Sequence, residues 1–262
     1  MVCPVKIDSI RPLVRYVDDG QAVVDAHIAT LPALPRQRGH RTADQPAVYV
    51  MAEIDGEDGF HDEGCGRLYL KPTEGRLEGG FRFGIETPLR WWPAGMGGQP
   101  LYTLSIKIIV GDEVTDEQTI RLGLASIRRG KVLGEDLPPS LLVNSRICEV
   151  LEVVTVDKID ENHLLPATGE SLLLVRDYYG EDLLYAAADM AGVLAIQAVP
   201  IDPKGDPARQ VREQVDRLTS HPSLAGYYVG HLGELKDKVA RCLRALDPTR
   251  LVFDRFPLLA ES

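Results

Sequence analysis

Long apolar runs and an excess of basic charge are both missing from this sequence of 262 residues. No segment approaches the ~18 uncharged apolar residues that a membrane helix needs, so no membrane-spanning role is predicted. Acidic residues outnumber basic ones by 39 to 29, giving a net charge of −10. Such a surface repels a phosphate backbone, so nucleic acid is not expected as a partner.

Cysteine clusters and nucleotide-binding loops are also lacking. The four cysteines have no C-x-x-C spacing, which argues against a zinc site or a redox pair. The glycine-rich stretch 95–98 precedes a predicted strand and not a helix, so it does not fit a phosphate-binding loop. No G-x-S-x-G motif is present. We therefore predict no metal and no cofactor. The cysteines are Cys3, Cys65, Cys148 and Cys242.

The first residues lack the features of a secretory signal. They contain one lysine within the first 14 residues, no apolar run of seven residues and no small-residue cleavage site. A cytoplasmic location is the expectation that follows, provided that Met1 is the natural start.

The first half of the chain has the pattern of β-strands. Short β-rich runs, several with apolar and polar residues in alternation, extend from about residue 10 to residue 126 and are closed by Gly, Pro or acidic turns. About seven strands in ~115 residues, without a helical period, predict an immunoglobulin-like antiparallel β-sandwich. The runs include 13–17, 24–28, 47–52, 68–70, 81–85 and 104–110.

After a proline-rich connector at 137–140 the pattern changes to buried strands that alternate with amphipathic helices. Continuous apolar runs are typical of strands covered on both faces. Strand and helix in alternation predict right-handed βαβ units and a parallel sheet. We therefore expect two domains, residues 1–136 and 137–262. The apolar runs are 150–156, 172–175, 193–199, 224–229 and 251–253, and the predicted helices are 181–191, 207–219 and 234–246.

A set of short motifs, in order along the chain, resembles glycoside hydrolase family 2, the β-galactosidase, β-glucuronidase and β-mannosidase family. The resemblance implies an immunoglobulin-like sandwich followed by the first part of a TIM barrel, here a truncated barrel-like domain of about five parallel strands. It covers about residues 90–252. The matching segments are Trp91-Trp92-Pro93, Gln99–Leu104, Ile120–Ile127, Asn144-Ser145-Arg146, Val175-Arg176, Tyr185–Leu194, Arg217–Leu224 and Asp247–Arg250.

The resemblance also implies where the catalytic carboxylates of the family should lie. Retaining glycosidases need two carboxyl groups ~5–5.5 Å apart, as nucleophile and acid/base. Counted from His221-Pro222-Ser223, the acid/base position of the family is occupied by Leu232. Glu234 lies two residues further on and is either a replacement acid/base or a first-turn helix residue that meets the helix dipole. The nucleophile of the family ends its seventh barrel strand, which no residue here matches.

Three functions remain open from the sequence. The first is a non-catalytic relative with a carbohydrate-binding, scaffold or assembly role. The second is an active β-glycosidase with Glu234 as acid/base, its nucleophile elsewhere or at Asp202 or Asp254. The third is a different chemistry at the carboxyl ends of the strands, where metal-capable side chains gather without a metal motif. The predicted substrate-side residues are Arg176, Asp177, Asp202, Tyr228 and His231.

A truncated barrel raises a further question about partners. Five parallel strands cannot close at the ~36° tilt of an eight-stranded barrel, and exposed edges invite pairing. We expect either that loops and the sandwich cover the sheet, or that two chains associate through the open barrel edge.

Overall fold

The structure is a computed structural model that describes residues 5–31, 47–73, 75–130, 141–150, 152–156, 171–176 and 182–255. The predicted domain boundary near residue 137 lies outside them and stays a prediction.

The amino-terminal half is a sandwich of two antiparallel sheets. Its strands are β1 (Ile7–Val17), β2 (Gln21–Thr30), β3 (Val48–Asp55), β4 (His61–Arg67), β5 (Lys71–Thr73), β6 (Arg76–Glu86), β7 (Tyr102–Val110) and β8 (Glu113–Leu122). One sheet has the order β1-β2-β6-β5 and the other β4-β3-β7-β8. These orders match the A-B-E-D and C′-C-F-G sheets of immunoglobulin domains. The predicted sandwich is confirmed, with eight described strands in place of about seven.

The sandwich core comes from strict alternation along the strands. In β2, Ala22, Val24, Ala26 and Ile28 are fully buried, and β7 has the same period. Because successive side chains of a strand point to opposite faces, this period places one apolar face of each sheet against the other.

Strand β4 and the segment after it correct the sequence prediction. Residues 68–70 were expected to form a strand, but they connect β4 to β5, and Leu68 packs into the core while Tyr69 is exposed. The unpredicted β4 has Gly64 and Gly66 at its inward positions. A Cβ on Gly66 would lie 2.9 Å from Cε2 of Phe81, so the glycines leave room for that ring.

A small antiparallel sheet follows the sandwich, formed by β9 (Ile127–Arg129), β10 (Leu141–Val143) and β11 (Arg146–Cys148). The turn between β10 and β11 has Asn144 and Ser145 at φ of 47° and 70°. Two consecutive residues with positive φ form the type I′ turn that suits the strand twist. The buried Asn144 side chain accepts a bond from Ser126 N (2.9 Å) and donates to Trp91 O (2.8 Å), which fixes the turn to the sandwich.

The carboxyl-terminal half is a parallel sheet with helices. Its strands are β12 (Glu152–Val156), β13 (Ser171–Val175), β14 (Leu194–Ala198), β15 (Leu224–Tyr228) and β16 (Leu251–Phe253), paired in chain order. Its helices are α1 (Asp182–Ala191), α2 (Pro207–Leu218) and α3 (Lys236–Leu246). The predicted five parallel strands are confirmed. The longest described helix, α2, has 12 residues, and none of the three is long and apolar enough to cross a membrane.

Helix boundaries follow local sequence signals. Asp206 caps α2 by accepting a bond from Ala208 N (3.1 Å), with Pro207 at the first helical position. Gly192 ends α1 at φ 70°, and Val193 N donates to Ala188 O (3.0 Å) in a Schellman-type closure. Helix α3 begins at Lys236 and not at the predicted residue 234.

Both faces of the parallel sheet are covered by this chain. The three helices pack against one face. The other face, including Leu174 and Ile196, is buried against β9 to β11 and against Trp91 and Trp92. The two faces of the sheet are therefore covered by other parts of the same chain, which is the first of the two arrangements expected from the sequence. Association through the edge strands β12 and β16 is not tested by this arrangement and stays a prediction.

Candidate functional site

The predicted site lies where the parallel strands end. Tyr228 is the last residue of β15, and His231 follows it by three residues. The two rings stack with centroids 5.5 Å apart and an interplanar angle of 29°. His231 Nε2 lies 3.2 Å from the carbonyl oxygen of Val199, just beyond β14. The structure thus brings Tyr228 and His231 together at the ends of two neighbouring strands.

Asp202 belongs to a turn of its own at the same edge. Its carboxylate is exposed and accepts a bond from Lys204 N (2.8 Å). Gln210 of α2 holds this turn, because its Oε1 accepts from Asp202 N (2.8 Å) and its Nε2 donates to Asp202 O (3.1 Å). Helix α2 therefore positions the backbone of Asp202, and the Asp202 carboxylate stabilises the turn by accepting the bond from Lys204 N.

Arg176 follows β13 directly. Its backbone N–H donates to Val156 O (2.9 Å), which continues the strand pairing, and its side chain is exposed. The predicted Asp177 lies outside the described residues.

Glu234 lies in a 3-10 segment, Gly230–Leu235, between β15 and α3. Gly233 interrupts this segment at φ 53°, so Glu234 precedes the helix, and the acidic residue in the first turn of α3 is Asp237. The Glu234 side chain is exposed. Within the described ranges no hydrogen bond or ion pair to it is found.

Leu232 stands where the family's acid/base glutamate is expected. Its side chain is half-buried and packs against the core on the helix side of the sheet, and its N–H donates to Val229 O (3.1 Å). This position therefore has an apolar side chain that packs against the core, and such a side chain cannot transfer a proton.

The amino ends of the same strands are built differently. Asp189 of α1 is buried, and its carboxylate accepts a bond from Ser223 N (3.0 Å) and contacts His221 Nδ1 (2.6 Å). Its backbone oxygen accepts a bond from Nε1 of the fully buried Trp91 (2.8 Å). Asp189 and the motif His221-Pro222-Ser223 thus meet in one buried network, which joins α1, the start of β15 and the sandwich.

A second buried network lies before β16. Arg250 donates to Thr219 O (3.2 Å) and His221 O (3.1 Å), and Asp247 accepts bonds from Thr249 N (3.0 Å) and from the hydroxyl of Tyr227 (3.3 Å). Burial, reinforced by the nearby Asp247 carboxylate, raises the pKa of Tyr227 well above its usual value. The motif Asp247-Pro248-Thr249-Arg250 therefore stabilises the fold through these hydrogen bonds.

A charge cluster between the sandwich and α2 was not found from the sequence. The carboxylate of Asp216 accepts bonds from Arg11 Nη1 (2.5 Å), Arg76 Nη2 (2.8 Å) and Ser9 Oγ (3.1 Å). Glu78 joins Arg76 and Arg212 beside it. These residues are up to 207 positions apart, so no local pattern marks them.

Metal chemistry has no visible ligand set in the described part of the chain. No group of three His, Cys, Asp or Glu side chains is arranged to hold an ion there.

The comparisons with known proteins point to one fold. A solved glycosyl hydrolase family 2 member from Bacteroides cellulosilyticus matches 96% of this chain with a TM-score of 0.66 at 15% identity. A β-D-mannosidase from Dictyoglomus thermophilum matches 95% with a TM-score of 0.68 at 16% identity. The fold is that of glycoside hydrolase family 2. At these identities the likeness concerns the fold alone.

The family 2 fold is present here only in part. This chain spans 35% and 34% of those two structures. An exo-β-D-glucosaminidase from Amycolatopsis orientalis is 24% identical over 182 residues, which are 56% of this chain and 17% of that protein. No family model matches the chain. The matched parts are the sandwich and the five-stranded parallel sheet with its three helices, which we call the half-barrel.

Proposed function

We propose that this chain is a non-catalytic family 2-like protein that binds carbohydrate at the carboxyl ends of its parallel strands. The observation that carries the proposal is Leu232, a half-buried apolar residue that packs against the core at the position where the acid/base glutamate is expected. Glycosidic cleavage requires two carboxyl groups on opposite sides of the bond, and Leu232 supplies neither.

The stacked pair Tyr228 and His231 supports the binding part of the proposal. Aromatic rings present an apolar face with a polar edge, which suits the C–H face and hydroxyl rim of a sugar ring. Exposed Arg176 and Asp202 lie at the same edge of the sheet and add polar contacts.

The named activity of the Amycolatopsis orientalis relative suggests the class of sugar. A glucosamine residue carries an amino group that is cationic when protonated, and this chain has a net charge of −10. Because opposite charges attract, a β-linked glucosamine oligosaccharide is the ligand that we propose.

Hydrolysis is tested with a panel of nitrophenyl β-glycosides that includes the β-D-glucosaminide. We expect no turnover by the wild type or by Glu234→Gln. Turnover by the wild type that Glu234→Gln abolishes would contradict the proposal and support an active glycosidase with Glu234 as acid/base.

Binding is tested by isothermal titration calorimetry with a chitosan oligosaccharide. We expect His231→Ala to weaken binding about tenfold, since it removes half of the stacked pair. His61→Ala, an exposed histidine of the sandwich, is the matched control and should leave binding unchanged. Absence of binding to the wild type would refute the carbohydrate-binding role.

A further inference from the structure

The outer face of the β4-β3-β7-β8 sheet carries an unusual row of side chains. Strand pairing aligns Arg67 with Tyr49, Tyr49 with Ile109, and Ile109 with Val114, so the row crosses all four strands. The solvent face of an antiparallel sheet is normally polar. Three of the four members of this row are apolar or aromatic, and we call it the apolar row.

The apolar row is accessible to a large partner. Tyr49 is 44% exposed and Val114 57%. Tyr69, 66% exposed, extends the row, because the Arg67 guanidinium lies 5.1 Å from its ring centroid. Tyrosine and arginine are enriched in the cores of protein interfaces, and contiguous exposed apolar patches mark interaction sites.

Charges at the two edges of this face are arranged in opposite order. Edge strand β4 has Arg67 in the apolar row and Glu63 towards the other end. Edge strand β8 has Glu117 next to the apolar row and Arg121 at the other end. Consider a two-fold axis that lies in front of this face, parallel to the strands and midway between β3 and β7. It would bring β4 of one copy over β8 of another. Arg67 would then lie over the second copy's Val114, with Glu117 one pair further along β8. Glu63 would lie over Thr119, with Arg121 one pair further along.

The same axis matches the apolar residues. Each row would meet the same row of the second copy in reverse order, so Tyr49 would face the second copy's Ile109. This is the self-complementarity that a two-fold interface requires. Two sheets packed face to face with strands roughly aligned are a standard arrangement.

We propose that this outer face, residues Arg67, Tyr49, Ile109 and Val114 with Tyr69, binds the same face of a second copy of this chain. The interface is separate from the strand ends that the proposed carbohydrate site uses and from the edge strands β12 and β16. A test of this interface therefore does not depend on the proposed carbohydrate site or on association through β12 and β16.

Sedimentation velocity over a range of concentrations tests the interface, with a reducing agent present because Cys65 is exposed on this face. We expect a monomer–dimer equilibrium for the full chain. Tyr49→Glu should weaken it at least about tenfold, as truncation of a central interface side chain does. Tyr16→Glu is the matched control, since Tyr16 is 42% exposed on the other sheet, and should leave the equilibrium unchanged.

Charge reversal tests the orientation of the two copies. Glu63→Arg and Arg121→Glu should each weaken the dimer several-fold, and the double variant should recover most of the loss because both contacts re-form in reversed polarity. A monomer at all concentrations would overturn the proposal. A dimer that Tyr49→Glu leaves intact would also overturn it and would direct attention to β12 and β16.

Discussion

The two ends of the parallel sheet differ in how their polar side chains are used. At the amino ends, Asp189, Asp247 and Arg250 are buried, and each makes a hydrogen bond to a neighbouring element. At the carboxyl ends, Arg176 and Glu234 are exposed. In barrel enzymes the carboxyl end carries the chemistry and the amino end the stability.

The difference between the two ends of the sheet shows which residues carry the resemblance to family 2 in this chain. Apart from Val175-Arg176, at the carboxyl end of β13, the segments that carry the resemblance lie in the sandwich, at its contact with the parallel sheet and at the amino ends of the strands. Leu232, at the carboxyl ends, is the residue that counting from His221-Pro222-Ser223 predicts at the acid/base position. A strong resemblance in the first group of residues therefore predicts the fold, and it says nothing about the second group.

The largest expected effect is at Asp189. Asp189→Ala removes the acceptor of the buried Ser223 N–H and the partner of His221, and an unsatisfied buried polar group is costly. We expect a loss of about 3 kcal/mol in the free energy of unfolding, measured from urea denaturation. Glu234→Ala, an exposed acid at the other end, should change it by less than about 0.5 kcal/mol. Equal losses would contradict the distinction between the ends.

The next effect compares two arginines. Arg250→Ala should cost about 2 kcal/mol, because its guanidinium donates to two carbonyl oxygens that would lose a charged donor. Arg176→Ala, an exposed arginine at the carboxyl end, should cost less than about 0.5 kcal/mol. Thermal unfolding monitored by circular dichroism measures both. A larger loss for Arg176→Ala would reverse the comparison.

A smaller effect concerns Tyr227 and depends on pH. Because burial raises its pKa, the folded state keeps the phenol proton at pH values where the unfolded chain, with an ordinary pKa of about 10, releases it. The free energy of unfolding should therefore fall as pH rises above about 10. Tyr227→Phe should lose about 1 kcal/mol at neutral pH, with the Asp247 bond, and should show a shallower decline above pH 10. Identical pH profiles for the two proteins would refute this account.

A small effect on stability is also expected at His231. His231→Ala should change the free energy of unfolding by about 0.5 kcal/mol or less, since the ring is exposed. The same variant should weaken oligosaccharide binding about tenfold, as proposed above. Paired denaturation and calorimetry on one preparation measure both quantities. A large loss of stability would place His231 with the structural residues of the amino ends.

The regular parts of the fold could be predicted from the sequence. The five parallel strands appear as continuous apolar runs because both faces of the sheet are covered, and α2 is marked by Asp206 and Pro207. Strand β4 could not be predicted, because glycines occupy its inward positions under Phe81 and remove the apolar alternation. The start of α3 was misplaced because Gly233 breaks the helical path just before Glu234.

The candidate site was predicted less completely. Counting from the H-P-S motif locates Leu232, and strand ends locate Tyr228 and His231, but their stacking depends on the turn that follows β15. The Asp189–His221 contact joins residues 32 positions apart, and the Asp216 cluster joins residues more than 130 apart. The first contact depends on how α1 packs beside the start of β15, and the second on how the sandwich packs against α2, and no local pattern encodes either.

The sequence contains two tryptophans, and both lie where the sandwich loop meets the half-barrel. Trp91 is fully buried, and the guanidinium groups of Arg90 and Arg146 each lie 4.9 Å from the ring centroid of Trp92. Intrinsic fluorescence excited at the indole band therefore originates at this single contact. A red shift of the emission would report its opening even while the sheets on either side remain folded, without any added dye.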